Sequence, residues 1–362
     1  MKRTTLALAL LTLLASACGA APAVASHSPS TSATAPTPAA AGPLNCRLPV
    51  AGFVISAPKG MPDNSIGADG QDNQKGTGGY LDLPSGKFTP APESDRAYLA
   101  ATHAWLPVSM QAVSPDQRSY VQGRVTQVSN NPPTTSLYLV QVATKSALKV
   151  FTAPEGQTAF VLAFTSRGIY VETSSSTGPG PADMLLIDPA TGAHRSVGGS
   201  QAPAGAIQQA FTAVSGEFAW GMLITGSQSQ PSFKLIRLSL ADGSVTAWYD
   251  APGPFYVAGF NSGHPLVGSV LAAPGASNAS LYEIATANHA VPIQAKGGTF
   301  TFGRGSSVSD GHGTWFGSAD GSIWLYSTDT GLEKIATVPP QPGATGQPYD
   351  QHAWRSVAGP CV

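Results

Sequence analysis

Seven histidines, three cysteines and a sparse set of charges are the residues of this chain whose types could do chemistry. None falls into a local catalytic signature. There is no G-x-S-x-G elbow to expose a serine, no H-E-x-x-H zinc pair, no Walker loop for a phosphate and no C-x-x-C. A site would have to be assembled from separated segments. Two segments repeat a His-Ala-Trp unit, at His103–Trp105 and His352–Trp354, pairing an imidazole acid–base group with an aromatic platform. Asp310 and His312, two apart in Ser-Asp-Gly-His-Gly, could work as an acid–base pair, and Arg304 just upstream could supply a cation. Each has a plainer reading. Repetition of His-Ala-Trp fits a packing unit, Asp and His in a glycine turn make local hydrogen bonds, and Arg304 fits a solvated loop. His27, His194, His264 and His289 read as tether, exposed-strand or turn residues. Asp63, Asp69 and Asp72 could offer oxygens to Ca²⁺ but lack the alternating ligands and closing Glu of an EF-hand. No cofactor is implied, and no histidine pair stands at metal-ligand spacing.

The elements that would position these residues come from an internal repeat. Met184–Val197 reads strand, tight turn, strand, with Leu185 and Ile187 on one face and Gly192 free to take positive φ. Related hairpins occur at 80–90, 137–151, 235–249, 281–293 and 324–336, making six. Their turn positions, Gly86, Ser146, Gly192, Gly243, His289 and Gly331, are 60, 46, 51, 46 and 42 residues apart. A second alternating pair lies between successive hairpins, at 108–125, 159–171, 209–224, 256–270 and 306–317. Four short strands in about 40–50 residues is the period of a β-propeller blade, whose faces are buried only by stacking neighbours. The expected fold is all-β, a propeller of six four-stranded blades, with seven or eight as the range. Thr102–Val108 is expected to open an inner strand, and Gln351–Val362 echoes it. Cys46–Ser56 then supplies the second strand of the blade that Gln351–Val362 begins, so both chain ends complete one blade.

The N-terminus reads as an export signal over 1–17, with Lys2–Arg3 before the apolar Leu6–Ala15. Leu14–Cys18 resembles a bacterial lipoprotein processing box, with Ala15 where leucine is usual. The resemblance implies cleavage before Cys18, its lipidation and membrane attachment through that anchor alone. Ordinary secretion, with cleavage after Ala23–Val24–Ala25, is the alternative. Residues 18–45 are Ala, Pro, Ser, Thr and Gly in the main and form a tether, leaving 46–362 as the folded domain. With Cys18 lipidated, Cys46 and Cys361 remain as an even pair, expected as a disulfide in an oxidising compartment. Two free buried thiols are the alternative.

The blade units resemble those of TolB-like and WD40-like propellers. Ser114–Val121, SPDQRSYV, is similar to their turn-then-strand motif, and LLIDPATG (185–192) to their Asp-x-x-Thr-Gly hairpin. Thr314–Gly331 also resembles propellers that precede bacterial signalling modules. The resemblance spans about 46–362 and implies scaffold, not activity.

Charged residues are 11% of the chain and the net charge is −1, which gives no electrostatic basis for nucleic-acid binding. The long polar connections at 57–79, 126–136 and 173–183 each join a second strand to a third, so they are expected on one face. Loops gathered on a rigid scaffold are where binding is usually housed. The expected function is therefore a lipid-anchored, extracytoplasmic, monomeric binding or interaction module for a protein, glycan or small ligand. A propeller-scaffold lyase or hydrolase with a site at the channel mouth is one alternative, and a subunit of a cell-envelope complex the other. The residues expected at that mouth are His103, Trp105, Arg304, Asp310, His312, His352 and Trp354.

Overall fold

A computed structural model of the chain describes residues 44–56, 73–126, 134–175, 182–199, 203, 205–227, 229–269, 281–300, 307–318, 320–339 and 353–362. The fold is all-β, a propeller of six blades. Blades three, four and five each run four antiparallel strands in chain order. They are Gln157–Thr165, Gly168–Ser175, Asp183–Ile187 and His194–Gly198; then Ala206–Ser215, Phe218–Ser227, Gln230–Ser239 and Val245–Ala251; then Phe255–Asn261, His264–Ser269, Leu281–Thr286 and His289–Ile293. Blade six has Val308–Asp310, Gly313–Gly317, Ser322–Ser327 and Gly331–Thr337, with Ala295–Lys296 added parallel on its outer edge.

Burial explains why these segments are strands of this kind. Second and third strands lie between two neighbouring blades, so both of their faces are covered and they read as nearly unbroken apolar runs. Ile-Tyr-Val (169–171), Met-Leu-Leu-Ile (184–187) and Ile-Trp-Leu-Tyr (323–326) are such runs, and nearly all their residues are buried. The core is accordingly divided into slabs between blades. Met184, Phe211, Leu223 and Leu238 fill the slab between blades three and four; Trp220, Leu235, Phe255 and Val267 fill the next. Trp315 and Trp324 are fully buried on opposite sides of blade six. Burying one such aromatic contributes roughly 2–3 kcal/mol.

Blade two departs from the expected pattern. The strand pair expected over 108–125 is half replaced: Met110–Ala112 is a 3₁₀ turn, and only the bridge Val113↔Tyr120 remains of the first strand. Strands Ser119–Thr126, Thr134–Gln141 and Ala147–Thr152 complete the blade. Thr102–Val108 does not open an inner strand either. Ala104–Leu106 pairs with Ala97–Leu99 in a separate hairpin. That hairpin packs Leu99 and Leu106 with Tyr120 and Val140 of blade two, and Tyr98 and Trp105 with Ala51 and Tyr80 of blade one. Proline at 107 and the Ser109–Met110 start of the 3₁₀ turn end the strand after Leu106, so the echo between the two His-Ala-Trp segments is one of sequence only.

In blade one, Ala353–Val357 pairs with Arg47–Ser56, which pairs with Asn73–Gly76 and Gly79–Asp82, and Lys87–Pro90 follows. Around that sheet the two chain ends are tied three ways. Cys46 and Cys361 are disulfide-bonded with Cα atoms 5.7 Å apart. Arg47 N–H donates to Val362 O at 2.7 Å, and Val362 N–H returns to Arg47 O at 3.0 Å. Buried Arg355 donates to Thr77 O at 2.6 Å and to Pro339 O at 2.8 and 3.2 Å. Burial without a carboxylate lowers its pKa to about 10. Residues 1–43, which hold the expected export signal, Cys18 and most of the expected tether, lie outside the described residues.

A disulfide spanning 315 positions restrains the unfolded chain strongly. Replacing Cys46 by Ala is expected to lower stability by about 2–5 kcal/mol while leaving the β signature in far-UV circular dichroism intact. Chemical denaturation with and without reductant measures it, and an unchanged midpoint in both would contradict the role assigned to the bond.

Candidate functional site

Of the residues expected at the channel mouth, His103 and Trp105 lie on the two-stranded hairpin and Asp310 and His312 at the first turn of blade six. His103 is exposed at the tip of the two-stranded hairpin, with φ 51°, and its Nδ1 shares a 2.9 Å hydrogen bond with the Tyr98 hydroxyl. Trp105 donates its indole N–H to the Tyr80 hydroxyl at 3.2 Å, and its ring lies 5.1 Å from Tyr98 and 5.7 Å from Tyr80. This is an aromatic joint between the hairpin and blade one. Arg304 and His352 lie outside the described residues, and of Trp354 only the backbone, paired with Phe53, is described.

Asp310 and His312 are brought together, but the carboxylate is committed. Its Oδ2 accepts from the Trp315 indole N–H at 2.8 Å and the Cys361 N–H at 3.0 Å, and its Oδ1 accepts from the His312 N–H at 2.8 Å. The His312 ring nitrogen is 3.3 Å from Oδ1 without hydrogen-bond alignment. Asp310 thus joins blade six to the disulfide-bearing end of the chain. A second hub was not expected from the sequence. Glu283 accepts from Tyr326 at 2.6 Å, His264 at 2.9 Å and Asn261 at 3.1 Å, tying blade five to blade six. Burial alone would raise the Glu283 carboxyl, but these three donors together hold it below its ordinary range. The signal missed was spacing across the hairpin: Asn261 and His264 flank one turn, and Glu283 pairs with Leu266 on the adjoining strand.

Both hubs belong to the face formed by the first-to-second and third-to-fourth hairpin turns, here the turn face. It is knit from blade to blade. Arg167 donates to both oxygens of Glu217 at 2.7 Å, Thr314 donates to Phe260 O at 2.7 Å, and Asn288 N–H donates to Trp248 O at 2.8 Å. The opposite, loop face is where second strands end and third strands begin, and the connections expected there over 57–79, 126–136 and 173–183 fall largely on residues that are not described.

The inner wall beneath the loop face holds a further group of buried polar side chains. First strands of neighbouring blades lie against one another, so they line the channel. On the first strand of blade three, Phe160 is 55% exposed. It sits directly opposite Glu172 in the ladder, which puts both side chains on the face toward blade four. Glu172 is buried and accepts a hydrogen bond from the Phe211 N–H of blade four's first strand. Two residues before Phe211, on the same face, Gln209 is buried; its amide donates to Gly199 O at 2.6 Å while its Oε1 has no partner. Burial raises the Glu172 carboxyl to about 7, against the opposing pull of the Phe211 N–H. The wall can therefore offer an apolar ring, a carboxyl that changes charge near neutrality and an unmet acceptor. Among the described residues no three His, Cys, Asp or Glu side chains group for a metal.

No family model and no curated protein matches the chain. Several solved structures are similar to it. TolB from Acinetobacter baumannii is 15% identical with a TM-score of 0.45, over 80% of this chain and 63% of that one. An oligogalacturonate lyase in complex with manganese is 14% identical with a TM-score of 0.43, over 82% and 75%. The Pyrococcus horikoshii acylaminoacyl peptidase is 12% identical with a TM-score of 0.42, over 79% and 46%. The chain spans less than two thirds of the length of the TolB and peptidase structures.

Glu172 makes stability fall with rising pH. Its folded pKa lies above the unfolded value, so the folded state holds the proton more tightly. The penalty is absent below about 4.5, grows as pH rises toward 7 and is complete above it. For a shift from 4.5 to about 7 it amounts to roughly 3 kcal/mol. Glu172→Gln is expected to match the wild type at pH 4.5 and to exceed it increasingly up to pH 8. Urea denaturation across that range measures it, and parallel profiles would remove Glu172 as the titrating group.

Proposed function

We propose that the chain is an extracytoplasmic binding module, anchored to a membrane through Cys18, that receives a protein, glycan or small ligand at its loop face. The observation that carries this reading is the inner wall beneath the loop face, where Phe160 is exposed and Gln209 Oε1 is unmet. The turn face spends its polar groups on itself, through Arg167–Glu217, Asn288–Trp248, Asp310–Trp315 and the Glu283 hub. A rigid ring with loops on one side fits a recognition scaffold. The Cys46–Cys361 disulfide supports a compartment outside the cytoplasm. No helix among the described residues is long and apolar enough to cross a membrane.

Cys18→Ala is expected to move the full chain from the membrane fraction of the producing cell to the soluble exported fraction, and retention would reject the anchor. A photo-crosslinking p-benzoylphenylalanine at Phe160 is expected to give a discrete adduct in the native envelope, while the same group at Asp242 on the turn face gives none. Adducts from Asp242 alone, or from neither position, would overturn the loop-face reading.

A further inference from the structure

Blade four sorts its charges into partnerships and leaves one out. Glu217 is held by Arg167, Asp250 by Lys234 at 2.6 Å, and Asp242 accepts the Ser244 N–H and hydroxyl within its own turn. These are the carboxylates of that blade's described residues, and none reaches Arg237. The Arg237 guanidinium carbon lies 3.6 Å from the centroid of the Trp248 ring and 4.5 Å from that of Phe218. Aromatic rings satisfy the faces of a guanidinium and leave its in-plane N–H groups needing acceptors.

The frame around it is built, not incidental. Trp248 is the extra residue of a β-bulge, between Tyr249 paired with Leu235 and Ala247 paired with Ile236. A bulge re-aims its side chain, here onto Arg237. Trp220 faces Arg237 across the ladder, and its ring packs edge-on 5.9 Å from Trp248 and 6.1 Å from Phe218. The indole nitrogens of Trp220 and Trp248 are both buried without an acceptor. Asn288 of blade five closes the other side through Trp248 O. Every unmet polar group in the cluster is a donor. Partial burial also depresses the Arg237 pKa.

We infer that this aromatic clamp on the rim between blades four and five is an anion-recognition site, in which the fork of Arg237 takes a carboxylate. The planar fork matches a carboxylate bidentately. A single cation balances one negative charge, which favours a carboxylate over a phosphate dianion. The carboxylate could belong to an acidic side chain of a partner or to a free organic acid. This site lies away from Phe160 and Glu172 and stands or falls independently of the loop-face reading.

The test uses the full chain labelled at its six tryptophans with ¹⁵N and follows indole resonances by NMR. Three probes are titrated: acetate, the capped peptide Ac-Ala-Glu-Ala-NH2 and its Gln counterpart. The Trp220 and Trp248 signals are expected to move saturably with a carboxylate probe, while those of Trp315 and Trp324 in blade six stay fixed. Arg237→Gln is expected to weaken the response by about tenfold or more, as for loss of a charge-assisted pair, and Lys234→Gln to leave it unchanged. Arg237→Lys, which keeps the charge and loses the fork, is expected to fall between. Unmoved Trp315 and Trp324 signals report that each variant is folded. A response to the Glu peptide alone identifies an acidic segment of a partner, and an equal response to acetate identifies a small acid. Silence to both carboxylates, an equal response to the Gln peptide, or full binding by folded Arg237→Gln would overturn the inference.

Discussion

The constraint on which the rest of the ring depends is the seating of one blade's outer turn on the bulge of the blade before it. Each outer strand of blades two, three and four carries one unpaired bulge residue: Val150, Val197 and Trp248. The left-handed residue of the next blade's outer turn sits against that residue's carbonyl. A Cβ on Gly192, at φ 73°, would come within 2.8 Å of Val150 O, and one on Gly243, at φ 75°, within 2.5 Å of Val197 O. At the third repeat Asn288, at φ 59°, donates its N–H to Trp248 O at 2.8 Å. The contact fixes spacing and rotation between sheets that share no ladder. The interlocked aromatic and aliphatic slabs between blades then follow, because native packing density needs both surfaces in one register.

The seam between blades six and one is held by different means. Here the chain passes from Gly331–Thr337 of blade six to Ala353–Val357, which pairs with Arg47–Ser56 in blade one. Polar groups hold the seam: the Asp310 carboxylate collects N–H groups from Trp315 and Cys361, and buried Arg355 collects the carbonyls of Thr77 and Pro339. Removing either partner of such a contact leaves a buried polar group unmet, which costs about 1–3 kcal/mol, more if charged. The disulfide adds a covalent limit on how far the ends separate. The Asp310 carboxylate, of a type and spacing that could serve acid–base chemistry with His312, is thus occupied at this junction.

Much of the fold was legible because blades are periodic and their turn chemistry is local. The six hairpins and four of the five inner pairs fall where the repeat places them. The two hairpins without a turn glycine show the limit: their left-handed residues are Lys145 and Asn288, one place before the turn positions expected at Ser146 and His289. The glycines at 192 and 243 were legible as turn formers but not as contacts with a neighbouring blade, because that second reason is set by a residue about 45 positions upstream. Blade two misled for a related reason. Apolar alternation around Val108–Val113 suits a strand, and only tertiary packing against the 97–106 hairpin decides for a 3₁₀ turn. The candidate sites were least legible. Glu172, Gln209 and Arg237 sit in apolar strands with no motif around them, and what marks each is the partner it lacks in three dimensions.

That lack carries weight because the chain is so poor in charge. With charged residues at 11%, where about a quarter is usual, the sequence has few ionic groups to spend, and several in blades three to six pair across strands or blades, as Arg167–Glu217, Lys234–Asp250 and Lys296–Glu333 do. Two groups break this economy in opposite senses. Glu172 is a carboxyl buried without a cation, and Arg237 is a cation packed in aromatics without a carboxylate. They cannot relieve one another: Glu172 lies on the inner wall between blades three and four, Arg237 toward the rim between four and five. An apolar residue in either place would remove a desolvation penalty at little cost to packing. Departures of this kind are expected where a structure gives up stability for recognition, and blade four borders both.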